Sequence, residues 1–442
     1  MIGTGTLTIR CTLFKACARV SATSTRVSRP YSTETDSGKN ANSTSRQEEA
    51  GNSGGQEKPN PANNADGADA KSSRRIIPEV PSMDGAPNLF IFRLERFIPE
   101  LPLVMRDAHR LPAMGRWFEP RRHGHVFTPR LTKHSQTVFP YELTDPAMRP
   151  DSSASSSSLT DSAPPALPLP YVLTEFRNWL VNRSNESYLP LLALIAGLTD
   201  PAMAPERAPA IDGEGEEADY LGEGVEFRQF YGPLGLLARA CEFNETRRTA
   251  AERLQRLYIA QAPVDSLPAP LGGYGTGPKG GDEGAVEGAG DLPTPDLVRS
   301  AGRGDIYGSS VWLGLEPTYT PPHRDPNPNL FCQLLGEKHV RLLPPDRGDA
   351  LYNRVRRRCG LRDGNARFRG PEMMGGAERE ALERAVWDDD GVVEDGDEGL
   401  VDDMQQTVLR PGDSIFIPKG WWHSIRSNGA GVLNASVNWW FR

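Results

Sequence analysis

The chain has 442 residues, of which 37% are hydrophobic and 24% are charged, and its formal net charge at pH 7 is -8. This length is sufficient for one or more domains with buried cores, whereas the negative charge provides no general electrostatic attraction to nucleic acid. No run of roughly 18 apolar residues suggests a membrane-spanning helix, and the cysteines form no CxxC pair, which argues against a zinc knuckle or a disulfide framework.

Residues 1–31 are basic and rich in serine and threonine, and the first acidic residue of the chain is Glu34. The basic residues before the first arginine–proline pair are Arg10, Lys15, Arg19 and Arg26. This composition is typical of a mitochondrial transit peptide. We therefore predict cleavage near Ser32 and a location in the mitochondrial matrix, with a disordered basic tail as the alternative.

Residues 32–75 contain mostly Asn, Ser, Gly, Glu and Ala, and almost no large apolar side chain. Such a segment cannot bury enough apolar surface to offset the entropy lost on ordering, so we predict a disordered linker. The folded domain is predicted to span residues 76–442, with a helical N-terminal part over 76–300 and a β core over 301–442.

The N-terminal part contains several apolar segments with helical spacing. A small helix is predicted within residues 88–97, followed by a strand near Leu103, because Pro99 and Pro102 favour extended chain. Longer helices are predicted over residues 171–181, residues 188–198, and from Pro233 through Glu252 to Leu257.

Four segments are poor material for a core, being rich in Ser, Ala, Pro, Gly or charged residues. They are predicted to be surface insertions: residues 151–165, 205–217, 272–290 and 346–406.

The last third of the chain has short runs of apolar, β-branched and aromatic residues separated by proline and glycine. This pattern predicts antiparallel strands with little helix. The predicted strands cover residues 310–315, 331–335, 338–343, 407–409, 414–417 and 432–441.

Three residues of the last third have the types and spacing of metal ligands. His323 and Asp325 are separated by one residue, so on an extended segment both side chains point to the same face. His423 supplies a third ligand, and a set of two histidines and one carboxylate leaves adjacent coordination positions of iron(II) open for a cosubstrate and O₂. Taken alone, however, a His-x-Asp pair is common in surface turns and around core histidines.

The sequence around these residues closely resembles the JmjC family of cupin-fold dioxygenases, and most of all its small protein hydroxylases. The resemblance is carried by residues 322–329, 336–345 and 412–423, in the family's order. It implies a mainly β fold with flanking helices (α+β) around a double-stranded β-helix, or jelly-roll, core.

The same resemblance implies a role for each matching residue. His323, Asp325 and His423 match the iron ligands. Lys338 matches the lysine that pairs with the far carboxylate of 2-oxoglutarate, and hydroxyl donors to that carboxylate are matched by Thr320 and Tyr258. Polar positions close to the cosubstrate and the metal are matched by Asn329 and Asn438. A buried dicarboxylate needs such a cation and such donors, because an unpaired buried carboxylate is very unfavourable.

The implied function is that of an Fe(II)- and 2-oxoglutarate-dependent dioxygenase, most directly a hydroxylase of a protein side chain. The alternatives are an N-methyl-lysine demethylase, an RNA-base hydroxylase, or a cupin-fold binding protein without turnover. The absence of a recognisable chromatin-reading domain and the predicted transit peptide argue against the demethylase, the acidic balance gives no support to an RNA substrate, and the intact ligand set argues against an inactive protein.

The remaining candidate residues have simpler interpretations. The histidines His109, His123, His125 and His134 lack a carboxylate at ligand spacing, and His339 is expected to point away from Lys338. The tryptophans Trp421, Trp422, Trp439 and Trp440 are expected to pack in the barrel wall.

The charged insertion 346–406 is expected to be a solvated loop or, alternatively, a lid over the active-site mouth. We expect a monomer, because the sequence ends directly after the last predicted strand, without the helical dimerisation segment of some relatives.

Overall fold

The computed structural model describes residues 76–145, 167–183, 185–199, 227–272, 290–361, 376–388 and 398–442. The predicted transit peptide, the linker and the insertions 151–165 and 205–217 lie outside the described residues, as does most of the insertion 272–290. Among the described helices, none combines the length and the apolar character needed to cross a bilayer.

The described residues form a nine-stranded sheet, a four-stranded sheet, a two-stranded sheet and a set of mostly short helices. The strands are β1 (Ser82–Asp84), β2 (Leu103–Arg106), β3 (Phe118–Pro120), β4 (His125–Phe127), β5 (Val138–Thr144), β6 (Phe227–Pro233), β7 (Leu257–Pro263), β8 (Ile306–Leu315), β9 (Tyr319–Arg324), β10 (Asn329–Leu335), β11 (Lys338–Leu343), β12 (Gln405–Leu409), β13 (Ser414–Ile417), β14 (Trp422–Arg426) and β15 (Leu433–Phe441). The α-helices are α1 (Leu89–Phe92), α2 (Pro112–Arg116), α3 (Pro129–Thr132), α4 (Leu169–Val181), α5 (Leu189–Thr199), α6 (Leu234–Glu245), α7 (Asp296–Ser300), α8 (Pro345–Arg358), α9 (Ala377–Trp387) and α10 (Glu398–Val401).

The last eight strands are divided equally between two sheets. The large sheet has the order β1-β2-β13-β10-β15-β8-β7-β5-β6, and the small sheet has the order β12-β11-β14-β9. Consecutive strands from β8 onwards therefore lie in different sheets, except β11 and β12, which are neighbours in the small sheet, and this is the arrangement of a jelly roll. The predicted mainly β fold with flanking helices around a jelly-roll core is confirmed.

The interior of the jelly roll is filled by apolar side chains from both sheets. Val340 and Ile425 of the small sheet contact the same buried cluster as Val104, Phe331 and Ile415 of the large sheet. Burying a side chain of this size stabilises the fold by about 1.5–3 kcal/mol relative to leaving it exposed. This packing holds the two sheets face to face, so that polar residues on their inner faces meet across the interior.

The described residues of the N-terminal part, which was predicted to be helical over 76–300, contain seven strands, β1 to β7, as well as the predicted helices. One of those helices is shorter than predicted. The helix expected to run from Pro233 to Leu257 ends at Glu245. The side chain of Asn244 donates a hydrogen bond to the carbonyl oxygen of Leu254 (2.7 Å) and accepts one from its amide (2.8 Å). These bonds turn the chain back, so that Leu257 begins β7 instead of ending a helix.

The prediction that the segment 346–406 is a solvated loop, in a region with little helix, was wrong for its described parts. Most of α8, and the whole of α9 and α10, lie within it. The first two of these helices pack on the outer face of the small sheet, where Leu351, Val355, Leu382 and Val386 share a buried cluster with Trp422. Arginine and glutamate residues on the other helix faces obscured this apolar spacing in the sequence.

Candidate metal and cosubstrate site

The three predicted metal ligands meet at the inner face of the small sheet. His323 on β9 and His423 on β14 are directly opposed in the antiparallel ladder, with ring centroids 4.2 Å apart. Asp325 follows the end of β9, and one potential ligand atom from each of the three residues lies within 4.8 Å of the others. Within the described residues, no other group of His, Cys, Asp or Glu side chains meets this condition.

The hydrogen bonds of the two imidazoles leave one nitrogen of each ring available as a ligand. Nδ1 of His323 lies 2.9 Å from the carbonyl oxygen of Pro321, and Nδ1 of His423 lies 3.1 Å from that of Trp421. A carbonyl oxygen only accepts, so each Nδ1 donates and each Nε2 of the neutral ring carries a lone pair. Burial, together with the neighbouring His323, lowers the pKa of His423 to about 4, which keeps this ring neutral at physiological pH.

The carboxylate of Asp325 is held on one oxygen by two donors. Oδ2 accepts hydrogen bonds from Nε1 of Trp440 at 2.7 Å and from Nδ2 of Asn329 at 3.2 Å. Burial by itself would raise the pKa of Asp325, but the two neighbouring imidazoles and these two donors outweigh it, and the pKa lies below its ordinary value. The side chain is therefore an oriented anion, as a metal ligand requires.

A β-bulge brings Thr320 to the same face as the histidines. In the pairing of β9 with β14, Thr320 lies opposite Ile425 while His323 lies opposite His423, so β9 has one residue more than its partner between these pairs. The extra residue falls at Pro321–Pro322, where proline is tolerated because a bulge interrupts the ladder. Since opposed residues share a face, the bulge gives Thr320 the orientation predicted for a cosubstrate donor.

The predicted anchor of the cosubstrate is formed across the barrel. Lys338 on β11 is only 2% exposed, and its Nζ donates to the hydroxyl of Tyr258 on β7 at 3.0 Å. Within the described residues, this is the one hydrogen bond of the amine, and it makes no salt bridge there. Burial lowers the pKa of Lys338 to about 7, partly offset by the carboxylate of Glu316. A carboxylate ligand would supply the missing counter-charge, so the pocket fits one end of 2-oxoglutarate.

A glycine allows Tyr258 to reach this position. Gly314 lies opposite Tyr258 in the pairing of β7 with β8. A Cβ atom at Gly314 would lie 2.3 Å from the ring of Tyr258 and 2.9 Å from its Cα atom. Any larger residue would therefore displace the tyrosine from its position beside Lys338.

The two predicted asparagines link the cosubstrate pocket to the metal ligands. Nε1 of Trp312 donates to Oδ1 of Asn438 (2.8 Å), and Nδ2 of Asn438 donates to Oδ1 of Asn329 (3.0 Å). Nδ2 of Asn329 donates in turn to Oδ2 of Asp325. The ring of Trp312 stacks at 6.1 Å on that of Tyr258. All these polar groups have partners, so the chain of contacts forms a rigid frame between the two halves of the site.

Sequence reasoning missed the contributions of Trp440 and Trp312. The tryptophans near the end of the chain were predicted to be wall residues, yet Trp440 donates directly to a candidate ligand. The sequence did contain a signal for Trp440. Alternate residues of a strand share a face, so Trp440, two positions after the candidate site residue Asn438, is expected to face the site as well.

The remaining histidines lie elsewhere: His109 forms a hydrogen bond with a serine of β13, and His123 and His125 line a separate cavity.

The described helices of the insertion 346–406 cover the outer face of the small sheet, and one residue of α9, Arg379, lines a cleft at the edge of β9.

The donor set fits the group that the resemblance implies. Two imidazole nitrogens and one oriented carboxylate, close together, suit iron(II), and such a set leaves adjacent coordination positions free. The buried amine of Lys338 beside the hydroxyl of Tyr258 suits a carboxylate.

Comparison with known proteins identifies a matching family and several similar proteins. The cupin-like domain family matches residues 242–442. Similar proteins include lysine-specific demethylase JMJ30 of Arabidopsis thaliana (26% identical over 152 residues, 34% of this chain and 29% of the relative) and Jumonji C domain-containing protein 5 of Drosophila melanogaster (29% over 156 residues, 34% and 32%). Lysine-specific demethylase 8 of Danio rerio is 26% identical over 153 residues, 34% of this chain and 32% of the relative. In each case the match spans only about a third of either protein.

Proposed function

Because the chain belongs to the JmjC-type, cupin-like oxygenase family, we propose that it is an Fe(II)- and 2-oxoglutarate-dependent dioxygenase that oxidises a protein side chain. The observation that carries the proposal is the direct pairing of His323 with His423, with Asp325 beside them, on the barrel face that also carries Lys338. This places a metal-binding set and a buried cation for a carboxylate in one interior.

Two reactions compete as the specific activity. Similar proteins include lysine-specific demethylases, which favours N-methyl-lysine demethylation over the side-chain hydroxylation predicted from the sequence. Both reactions insert one oxygen atom into a C–H bond. When that bond belongs to an N-methyl group, the resulting hemiaminal releases formaldehyde, whereas hydroxylation at a side-chain carbon leaves the oxygen on the product.

The residues of the site would bind and orient the metal and the cosubstrate. Iron(II), when bound together with 2-oxoglutarate and O₂, supplies the oxidant for the C–H bond. His323, His423 and Asp325 would hold the metal, with Asp325 oriented by its two donors. At the opposite end of the cosubstrate, Lys338 with the hydroxyls of Tyr258 and Thr320 would bind the far carboxylate, and the apolar interior excludes bulk water from the site.

The test is the release of succinate by the purified protein with iron(II), 2-oxoglutarate and methylated-lysine peptides. Formaldehyde release would identify a demethylase, and a gain of one oxygen atom in peptide mass would identify a hydroxylase. His323→Ala and Lys338→Ala should abolish turnover, while His339→Ala, which changes the neighbour of Lys338, serves as the matched control. Absence of both succinate and bound metal in the wild-type protein would refute the proposal.

The proposal also covers the location, the substrate class and the quaternary state of the protein. We further propose a location in the mitochondrial matrix, on the basis of the basic N-terminal segment, together with a protein substrate and a monomeric state. N-terminal sequencing of the protein from isolated mitochondria tests the location: a new terminus near Ser32 supports it, and an intact Met1 in another compartment refutes it.

A further inference from the structure

A tryptophan of the segment 346–406 forms a hydrogen bond with the strand that carries a candidate metal ligand. Trp387 is the last residue of α9, and its side chain is buried against the outer face of the small sheet. Its Nε1 donates to the hydroxyl of Ser424 on β14 at 2.8 Å. Because Ser424 directly follows His423 in the chain, α9 contacts the wall of the site from outside the barrel.

The hydroxyl of Ser424 has a fixed direction. An indole N–H only donates and a carbonyl oxygen only accepts, so the hydroxyl accepts from Trp387 and donates its own proton to the carbonyl oxygen of Thr320 at 2.8 Å. Ser424 is only 1% exposed, and bulk water therefore does not compete for either bond. The three residues form a continuous chain of hydrogen bonds from α9 to β9.

This chain of hydrogen bonds ends at the bulge of β9. Pro321 and Pro322 of β9 correspond there to the single residue Ser424 of β14. The two prolines supply no N–H to the ladder, so the backbone has fewer constraints here than in a regular strand. The bond from Ser424 adds a constraint at this point and fixes the peptide of Thr320.

The small sheet in turn holds the ring of Trp387 in place. The guanidinium carbon of Arg341 lies 4.7 Å from the centroid of the indole, and that of Arg426 lies 4.0 Å from it. Nη1 of Arg341 also donates to the carbonyl oxygen of Val386 at 2.6 Å. Cation–π contacts with two residues favour one orientation of the ring, in which Nε1 points at Ser424.

We propose that Trp387 is a positioning residue for 2-oxoglutarate, which acts through Ser424 on Thr320. The inference rests on the proposed function, in which the hydroxyl of Thr320 binds the far carboxylate of the cosubstrate. A shift of the Thr320 peptide moves that hydroxyl, and small displacements of a positioned group weaken its contact with a ligand. A helix outside the barrel thereby supports the cosubstrate site.

The test compares two ligands that differ only in the far carboxylate. The full chain, loaded with Mn(II), is titrated with 2-oxoglutarate and with 2-oxopentanoate, which has a methyl group in place of that carboxylate. Binding is followed through the effect of the metal on the relaxation of water protons. Trp387→Phe, which removes the indole donor and keeps an aromatic ring, should weaken the binding of 2-oxoglutarate roughly threefold to tenfold, as expected for one hydrogen bond. The affinity for 2-oxopentanoate should not change.

Further variants distinguish positioning from packing. Ser424→Ala should also lower the preference for 2-oxoglutarate over 2-oxopentanoate, and adding Trp387→Phe to it should cause no further loss, because both residues act through one hydroxyl. Trp117→Phe is the matched control, since it also removes a buried indole donor, but from Asp291 (2.9 Å), and it should keep the wild-type preference. If Trp387→Phe does not fold, Ser424→Ala, which removes the acceptor of the same bond, decides by the same titrations.

The outcomes separate the two proposals. An unchanged preference in Trp387→Phe, an equal loss of affinity for both ligands, or additive losses in the double variant would overturn the role of Trp387. Failure of the wild-type protein to bind Mn(II), or to prefer 2-oxoglutarate over 2-oxopentanoate, would instead count against the proposed oxygenase function.

Discussion

The hydroxyl oxygen of Tyr258 lies 3.0 Å from the amine of Lys338, although the two residues belong to opposite sheets. This contact crosses the barrel interior and places a cation where solvent is largely excluded. The amine is therefore unfavourable in the empty protein and favourable once a carboxylate binds. Stability and cosubstrate affinity should respond in opposite directions to its removal.

Lys338→Met should abolish the binding of 2-oxoglutarate and stabilise the ligand-free fold. The pKa of Lys338 in the fold is about 7, below the ordinary value of 10.5, so the unfolded chain binds the proton more strongly. The wild-type protein should accordingly gain stability as the pH rises from 7 towards 10.5, with the full penalty present below pH 7. Chemical denaturation of both proteins at several pH values measures this, and a difference between them that is independent of pH would contradict it.

The affinity for 2-oxoglutarate should fall as the pH rises above about 7, where the amine of Lys338 loses its proton in the empty pocket. A bound carboxylate raises the pKa of the amine, so binding at pH 8 should take up a proton from the buffer. Calorimetry in two buffers of different ionisation enthalpy detects this uptake. The idea fails if the measured heats do not depend on the buffer.

The parts of the fold that could be predicted from the sequence are those specified by local pattern. The strand Lys338–Leu343 and the strand Ser414–Ile417 were predicted with the bounds that the structure shows, because each is a short apolar run limited by turn residues. The strands Tyr319–Arg324 and Trp422–Arg426 were not predicted, since prolines and polar ligands interrupt their apolar pattern.

The parts of the site that escaped prediction depend on pairing between distant strands. The hydrogen bond from Trp440 to Asp325 forms because β15 lies beside β10 in the large sheet. No local sequence pattern predicts how these two strands are aligned. Trp312 and Asn438 are likewise brought together by the pairing of β8 with β15, across a long stretch of intervening sequence. His323 and His423, by contrast, could be proposed from residue type and surrounding motif before their pairing was visible.

Trp440→Phe should weaken metal binding about tenfold or more, because partners that orient a ligand typically contribute 10–100-fold to metal affinity. The change removes the donor to Oδ2 of Asp325 and keeps most of the ring. Titration with Mn(II) or Co(II) measures the affinity without turnover. Trp421→Phe is the control, since it also removes an indole donor, but from the carbonyl of Glu100. Equal affinities in the two variants would show that Trp440 does not position the ligand.

Gly314→Ala should reduce the affinity for 2-oxoglutarate well beyond its effect on metal binding. The added methyl group would lie 2.3 Å from the ring of Tyr258, so the tyrosine must leave its position beside Lys338. Gly308, on the same strand, has its nearest neighbour at 3.9 Å, and Gly308→Ala is the matched control. Parallel titrations of metal and cosubstrate distinguish a displaced tyrosine from a general loss of folding, which would weaken both.

Leu382→Ala should destabilise the fold by about 2–5 kcal/mol, the range observed for truncating a buried leucine. Leu382 is 2% exposed and packs in the cluster between α8, α9 and the outer face of the small sheet. Since Trp422 in that cluster precedes the candidate ligand His423, loosening the helices should also weaken metal binding. Glu380→Ala, at an exposed position of the same helix, should leave both properties unchanged. If denaturation of Leu382→Ala matches wild type, the helices of the segment 346–406 do not contribute to the stability of the barrel.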